Sequence, residues 1–171
     1  MPPILVLIGS PGAGKTSVGR RVAERKHLPF ADSDHLVEAV AGASVSDIFV
    51  NQGEAAFRDL EADTIATALQ ERTGVLSLGG GAVLREETRR RLAGVPVGWL
   101  KVSLNEAVSR VGMNTARPLL LGNVRGTLSS LMAAREPIYA EVSDFVVDTS
   151  GRPLRDVVTE VCARLDEGAG R

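Results

Sequence analysis

Apolar residues along the chain fall into two patterns: short unbroken runs, and runs spaced three or four apart. Ile4-Leu-Val-Leu-Ile8 is a continuous β-favouring run that ends at Gly9. With no polar alternation, it predicts a strand buried on both faces, as in a parallel sheet. Gly74 to Leu78 repeats the pattern and closes at Gly79-Gly80-Gly81. Val95 to Val102 and Phe145 to Asp148 are further strand candidates, and Leu28 to Ala31 is a short extended piece leading into Asp32-Ser33-Asp34.

Between these runs the period changes. Lys15 to Lys26 carries Val18, Val22 and Ala23 on one side and predicts a helix. Residues 35 to 41 and 54 to 71 also read as helical, the second with Phe57, Leu60, Ile65 and Leu69 as its apolar side. A charged helix is expected over Arg85 to Leu92, and Ser103-Leu-Asn-Glu106 has capping-box spacing for the next. Residues 112 to 124 are rich in Gly and Asn and contain Arg117-Pro118, which predicts a mobile loop. A helix through Leu131 and Met132 precedes the last strand. Pro153 then opens a terminal helix ending near Leu165, with Glu167 to Arg171 as a frayed tail.

Strands alternating with helices predict an α/β fold, a parallel sheet covered on both faces. No repeat, low-complexity block or linker interrupts the 171 residues, so one domain over 1–171 is expected. Composition narrows the function. The chain holds one Trp and one Tyr, too few aromatics for a base-stacking platform. Twenty basic residues balance 21 acidic ones, which gives no electrostatic case for nucleic acid or membrane as partner.

Cys162 is the only cysteine, so an intramolecular disulfide and a thiolate metal cluster are excluded. Its place in the apolar pattern of the last helix reads as a buried, inert thiol. The N-terminus lacks a basic n-region and cleavage site, and Ile4 to Ile8 is too short to span a bilayer; a cytoplasmic protein is expected. His27 and His35 read as a helix-end and a surface histidine rather than ligands.

The strongest chemical signal is Gly9-Ser-Pro-Gly-Ala-Gly14-Lys15-Thr16, a complete phosphate-binding loop between a buried strand and a helix. Glycines let the backbone curl so that successive N–H groups point at phosphate oxygens, and the helix N-terminus adds its positive end. Lys15, expected to face an open site, supplies a mobile charge to the β- and γ-phosphates, and the Thr16 hydroxyl suits Mg²⁺. Such a loop serves kinases, GTPase switches and motors alike.

The acceptor must therefore be sought elsewhere. Asp32 and Asp34 follow the second strand at the C-terminal edge of the sheet, where ligands bind in this architecture. One carboxylate can assist a metal and the other can orient an attacking hydroxyl or accept its proton; the same spacing also suits a plain helix cap. Gly79-Gly80-Gly81 sits at another strand end, either as a close approach to a ligand or as a tight turn. Arg58 has Glu61 three positions on, the spacing of a surface ion pair.

Several segments together resemble bacterial shikimate kinases, from residue 4 to about residue 165. They are GSPGAGKT from Gly9, DSD from Asp32, IFVNQGEAAFR from Ile48, LSLGGGAV from Leu76, ARPLL from Ala116 and REPIY from Arg135, in the family's order. The resemblance implies a three-layer P-loop kinase fold with five parallel strands in the order 2-3-1-4-5, a mobile lid over about 112–124 and an acceptor-binding region over about 32–62. It implies transfer of the γ-phosphate of ATP to the 3-hydroxyl of shikimate, on the route to chorismate and aromatic amino acids.

Carried over residue by residue, it assigns shikimate to Asp34, Arg58, Gly79, Gly80, Gly81 and Arg135. It assigns ATP to Gly12, Ala13, Gly14, Lys15, Thr16, Ser17, Arg110, Arg117, Arg152 and Pro153, and Mg²⁺ to Thr16 and Asp32. Lys15, Asp34 and Arg117 would be catalytic. Shikimate and ATP would be the only partners of a monomer. A kinase for another hydroxy-carboxylate such as gluconate, or a non-catalytic nucleotide-binding module, is the alternative; a module needs neither a lid arginine nor an acceptor site.

Overall fold

The computed structural model describes residues 2–112 and 123–170. Its centre is β1 (Leu5–Ile8), and the side chains of this strand explain the layering. Leu5 and Leu7 enter one buried apolar cluster, Val6 and Ile8 another. An unbroken apolar run is thus two alternating rows, one for each face of the sheet. Strands β3 (Val75–Ser77) and β4 (Val97–Lys101) divide likewise, with Val75 and Leu100 on the first face and Leu76, Val97 and Trp99 on the second.

With β2 (Phe30–Asp32) and β5 (Phe145–Asp148) the five strands form one parallel sheet in the order β2-β3-β1-β4-β5. The first face is covered by α1 (Lys15–Lys26), α5 (Leu104–Gly112) and α7 (Leu154–Ala169). The second is covered by the later part of α3 (Val45–Glu71) and by α4 (Glu86–Leu92). The long α6 (Val124–Val142) serves both, with Leu128 in the first cluster and Tyr139 in the second. This is the expected three-layer arrangement.

A third, smaller cluster lies away from the sheet. Val37 of α2 (Ser33–Ala41) packs there with Ile48 and Phe57 of α3. The helix expected from residue 54 begins at Val45, because Ser44 caps an extra segment by accepting the Asp47 N–H at 3.1 Å. The two segments meet at Gly53, whose φ of 86° and ψ of 169° are not helical.

The terminal helix runs to Ala169 rather than fraying from Glu167. Lys26 of α1 pairs there with Asp166, tying the end of α7 down. Cys162 is half-buried at the rim of the first cluster rather than fully inside. His27 is the left-handed C-cap of α1 and His35 is exposed, as their sequence positions suggest. Of the expected lid, 113–122 and with it Arg117 lie outside the described residues. No helix among the described residues is long and apolar enough to cross a membrane.

Candidate active site

The phosphate loop joins β1 to α1. Gly14, the N-cap of α1, has φ 85°, a left-handed backbone that a side chain would strain. Lys15 lines the cavity beside this loop, yet is only 8% exposed. Its ammonium donates to the carbonyls of Gly9 at 2.7 Å and Ser10 at 3.0 Å, so the charge is folded back onto its own loop. Arg110 donates to the Gly12 carbonyl at 2.8 Å and pairs with Glu106 at 3.2 Å, closing the loop from α5.

Thr16 and Asp32 meet where α1 passes the end of β2. The Thr16 hydroxyl donates to Asp32 Oδ2 at 2.9 Å, and the Asp34 N–H donates to Asp32 Oδ1 at 2.9 Å. Asp32 therefore caps α2 through one oxygen while the other meets Thr16, so the two readings of the Asp-Ser-Asp segment are compatible. A cavity of about 230 Å³ opens here. It is lined by Gly12, Gly14, Lys15, Thr16 and Ser17 of the loop, and by Asp32, Asp34, Leu78, Gly79 and Arg110.

Across Gly79 lies a second set of groups, assembled from four separate segments. A Cβ on Gly79 would come within 3.0 Å of both Asp34 Oδ1 and Glu61 Oε2. One on Gly80 would stand 3.0 Å from Pro11 Cδ and 3.3 Å from an Arg135 Nη. One on Gly81 would press on the Arg58 guanidinium, 2.6 Å from Cζ. Each of the three glycines leaves room for a neighbouring side chain, and the Ala82 N–H donates to the Gly79 carbonyl at 3.1 Å, so the segment is a close approach and a turn at once.

The triglycine is pinned from both sides. The Gly79 N–H donates to Ser33 Oγ at 2.9 Å, and the Tyr139 hydroxyl donates to the Gly80 carbonyl at 2.6 Å.

Arg58 is not on a solvated face. Its side chain is 12% exposed and that of Glu61 3%, with 2.8 Å between Nη1 and Oε1 and Glu54 a more distant partner at 3.6 Å. The pair is incompletely satisfied, since Arg58 Nε and Glu61 Oε2 are buried without a hydrogen-bond partner. Burial pushes the Glu61 carboxyl above the ordinary carboxylate range; the neighbouring Arg58 charge opposes this shift but does not overcome it. Arg135 is buried as well and makes no ion pair among the described residues.

Two cationic side chains therefore face one glycine wall beside a carboxylate, next to a phosphate cradle. Such a set can hold a phosphate chain on one side and a small hydroxy-carboxylate on the other.

Two assigned residues stand apart. Arg152 donates to the Asp148 carbonyl at 2.9 Å and to Glu160 at 3.0 Å, and neither it nor Pro153 lines the cavity. The loop they belong to is nonetheless joined to α5, where the Gly151 N–H donates to Glu106. Ala13 is buried in the first cluster, with its N–H donated to the Ser10 carbonyl at 3.2 Å. Ser33 and Tyr139 were not singled out from sequence. Tyr139 carried a usable signal, since it follows Arg135 by four positions and so shares its helix face.

A family model described as shikimate kinase matches residues 11–166 of the chain. A curated shikimate kinase of Thermobifida fusca is 53% identical over 148 residues, covering 86% of each chain. One of Salinispora arenicola is 49% identical over 165 residues, covering 96% of this chain and 99% of that one. Among solved structures, the shikimate kinase of Acinetobacter baumannii in complex with shikimate superposes with a TM-score of 0.93 at 32% identity, covering 98% of this chain and 94% of that one. A gluconokinase of Sinorhizobium meliloti reaches a TM-score of 0.60 at 22% identity, a likeness of fold alone.

Proposed function

The chain belongs to the shikimate kinase family, and from that premise we propose how its own residues move the γ-phosphate of ATP onto the 3-hydroxyl of shikimate. The observation that carries the assignment of roles is the convergence of Asp34, Arg58 and Arg135 on Gly79-Gly80-Gly81, beside the phosphate loop.

The backbone N–H groups from Gly12 to Ser17 cradle the phosphates of ATP. Lys15 leaves the Gly9 and Ser10 carbonyls for the β- and γ-phosphate oxygens, so its charge is exchanged rather than freshly desolvated. Arg110, Arg152 and Pro153 flank the adenine. The family resemblance assigns Arg117 to the phosphates as well.

Thr16 and Asp32 put a hydroxyl and a carboxylate oxygen 2.9 Å apart, hard donors that fit Mg²⁺. No cluster of three acidic, His or Cys side chains that could hold a metal alone exists among the described residues. Phosphate oxygens and water would complete such a site. When bound, Mg²⁺ neutralises charge on the transferring phosphate.

On the acceptor side, Arg58 and Arg135 grip the shikimate carboxylate. Asp34 and the Gly80 backbone hold its hydroxyls, and Gly79 and Gly81 leave room for the ring. The 3-hydroxyl oxygen bonds to the γ-phosphorus as the bond to the β–γ bridging oxygen breaks, releasing ADP. The hydroxyl proton passes to Asp34. The transition state is loose, so positioning and charge neutralisation supply more of the rate than the strength of that base. The enzyme is proposed to work as a cytoplasmic monomer with small-molecule partners only.

A coupled ADP-release assay with shikimate, with gluconate and with no acceptor tests the reading. Turnover should require shikimate. Equal rates in all three arms would sink it.

A further inference from the structure

We infer that Gly53 is a positioning residue for the acceptor site: its backbone bends α3 so that Arg58 reaches the triglycine wall. The inference rests on the reading of Arg58 as the anchor of the acceptor carboxylate. It starts from a contrast among the glycines. At Gly79, Gly80 and Gly81 space is short, because a Cβ at each would stand 3.0 Å or less from a neighbouring side chain. A Cβ on Gly53 would meet nothing within 4 Å. Only its backbone needs glycine, since a φ of 86° with a ψ of 169° belongs to a region essentially closed to L side chains.

What the bend achieves can be read from the two segments that it joins. Phe49 lies before it and Phe57 after it, with ring centroids 4.7 Å apart. In a straight helix, residues eight positions apart are separated by about 12 Å along the axis. The bend therefore folds Val45–Gln52 back against the following segment. There Ile48, Phe49 and Phe57 close a small apolar cluster with Val37.

Arg58 follows Phe57 directly, with its guanidinium 5.2 Å from the Phe57 ring centroid. It lies in the first turns after the bend, four positions from Glu54, its more distant ion-pair partner. A continuous helix through residue 53 would change the relation between the Phe49 segment and Phe57. The ring that supports the guanidinium would lose its packing. Arg58 would keep its charge but lose the position that Gly81 is cut back to admit.

The test separates conformation from space. Gly53→Ala is compared with D-alanine at the same position, introduced by ligating synthetic and recombinant fragments. For a D residue, this backbone is the mirror image of an extended conformation that L residues adopt readily. Two readouts are taken: steady-state kinetics for shikimate and ATP, and NMR contacts between the Phe49 and Phe57 rings. The D-alanine protein should keep the ring contact and wild-type kinetics. Gly53→Ala should lose the contact and raise KM for shikimate roughly tenfold, as expected of a lost bidentate grip, while KM for ATP stays put.

Where Gly53→Ala fails to fold, the D-alanine protein still decides: wild-type behaviour supports the inference, and impairment overturns it. Unaltered ring contact and kinetics in Gly53→Ala would overturn it as well. Loss of the ring contact with shikimate kinetics unchanged would support the bend and overturn the assignment of Arg58, a distinguishable failure.

Discussion

On the proposed reading, the phosphate side and the acceptor side of the cleft solve the same problem, holding an anion, by opposite means. The phosphate side is mostly backbone from one stretch, Gly9 to Ser17, and its buried cation, Lys15, rests on carbonyls of that stretch. The acceptor side is mostly side chain, drawn from α2, α3, α6 and the loop after β3. Its largely shielded cation, Arg58, rests on another ionisable group, Glu61. A site made of backbone is carried by a contiguous motif and survives drift elsewhere. A site made of side chains depends on four elements being held in register by clusters that do not touch the ligand.

The largest effect should come from the phosphate side. Lys15→Met keeps the stem but removes the charge, and kcat should fall about a hundredfold or more, the scale of losing a preorganised charge stabiliser. The same change also takes a donor from the Gly9 and Ser10 carbonyls. Stability should fall by about 1–3 kcal/mol, the usual cost of a buried acceptor left unpaired, here the Gly9 carbonyl, since the Ser10 carbonyl keeps the Ala13 N–H. Kinetics and thermal unfolding of the purified variant check both. A variant that kept more than about a tenth of the wild-type kcat, under ~1.4 kcal/mol of barrier, would remove Lys15 from the chemistry.

Next in size is the acceptor side. Arg58→Lys keeps the charge but loses the planar fork that makes two parallel hydrogen bonds to a carboxylate. The expected result is a fall of roughly tenfold or more in kcat/KM for shikimate, with KM for ATP barely moved. Unchanged shikimate kinetics in the folded variant would leave Arg135 as the main anchor. That outcome would also weaken the contrast between the two sides, since one side chain would then suffice.

That contrast also explains what the sequence could reveal. Five strands and the phosphate loop were legible, because unbroken apolar runs and a contiguous motif are local signals; the strand order came only with the family resemblance. The role of Asp32 was half legible: as a cap it follows from spacing, but its bond to Thr16 spans sixteen residues of chain. Arg58 read as half of a surface pair because i,i+3 spacing carries no information on depth. Its depth comes from contacts outside that spacing, the Phe57 ring near the guanidinium and the Gly81 backbone beside it. Ser33 and Tyr139 each act on the backbone of a distant loop; nothing near Ser33 records that, whereas Tyr139 offered only its shared helix face with Arg135. The helical segment from Val45 to Gln52 lies before the expected start at residue 54, and Gly53 is the bend that joins the two segments.

The smallest effect concerns Glu61 and sharpens the comparison most finely. A carboxylate 2.8 Å from a guanidinium would ordinarily be stabilised in its charged form, yet here burial wins and the carboxyl is held above its ordinary value of 4.5. The unpartnered Oε2 and the nearby Asp34 charge give the physical reason, since one oxygen is desolvated without compensation and a like charge adds to the penalty. The sign of the pH dependence follows. Just above 4.5 the folded chain holds the Glu61 proton while the unfolded chain has lost it. Stability from this group therefore falls as pH rises through the window between the unfolded and folded values, and is level above it. Glu61→Gln has no proton to lose. In urea unfolding across a pH series, wild type should lose stability relative to the variant as pH rises through that window. The change is one of slope and not of fold. The opposite slope, with wild type gaining on the variant, would mean that the ion pair outweighs burial. The acceptor side would then hold its cation on a comfortably ionised partner, as ordinary surface pairs do, and the difference from the carbonyl-held Lys15 would shrink to one of chemistry alone.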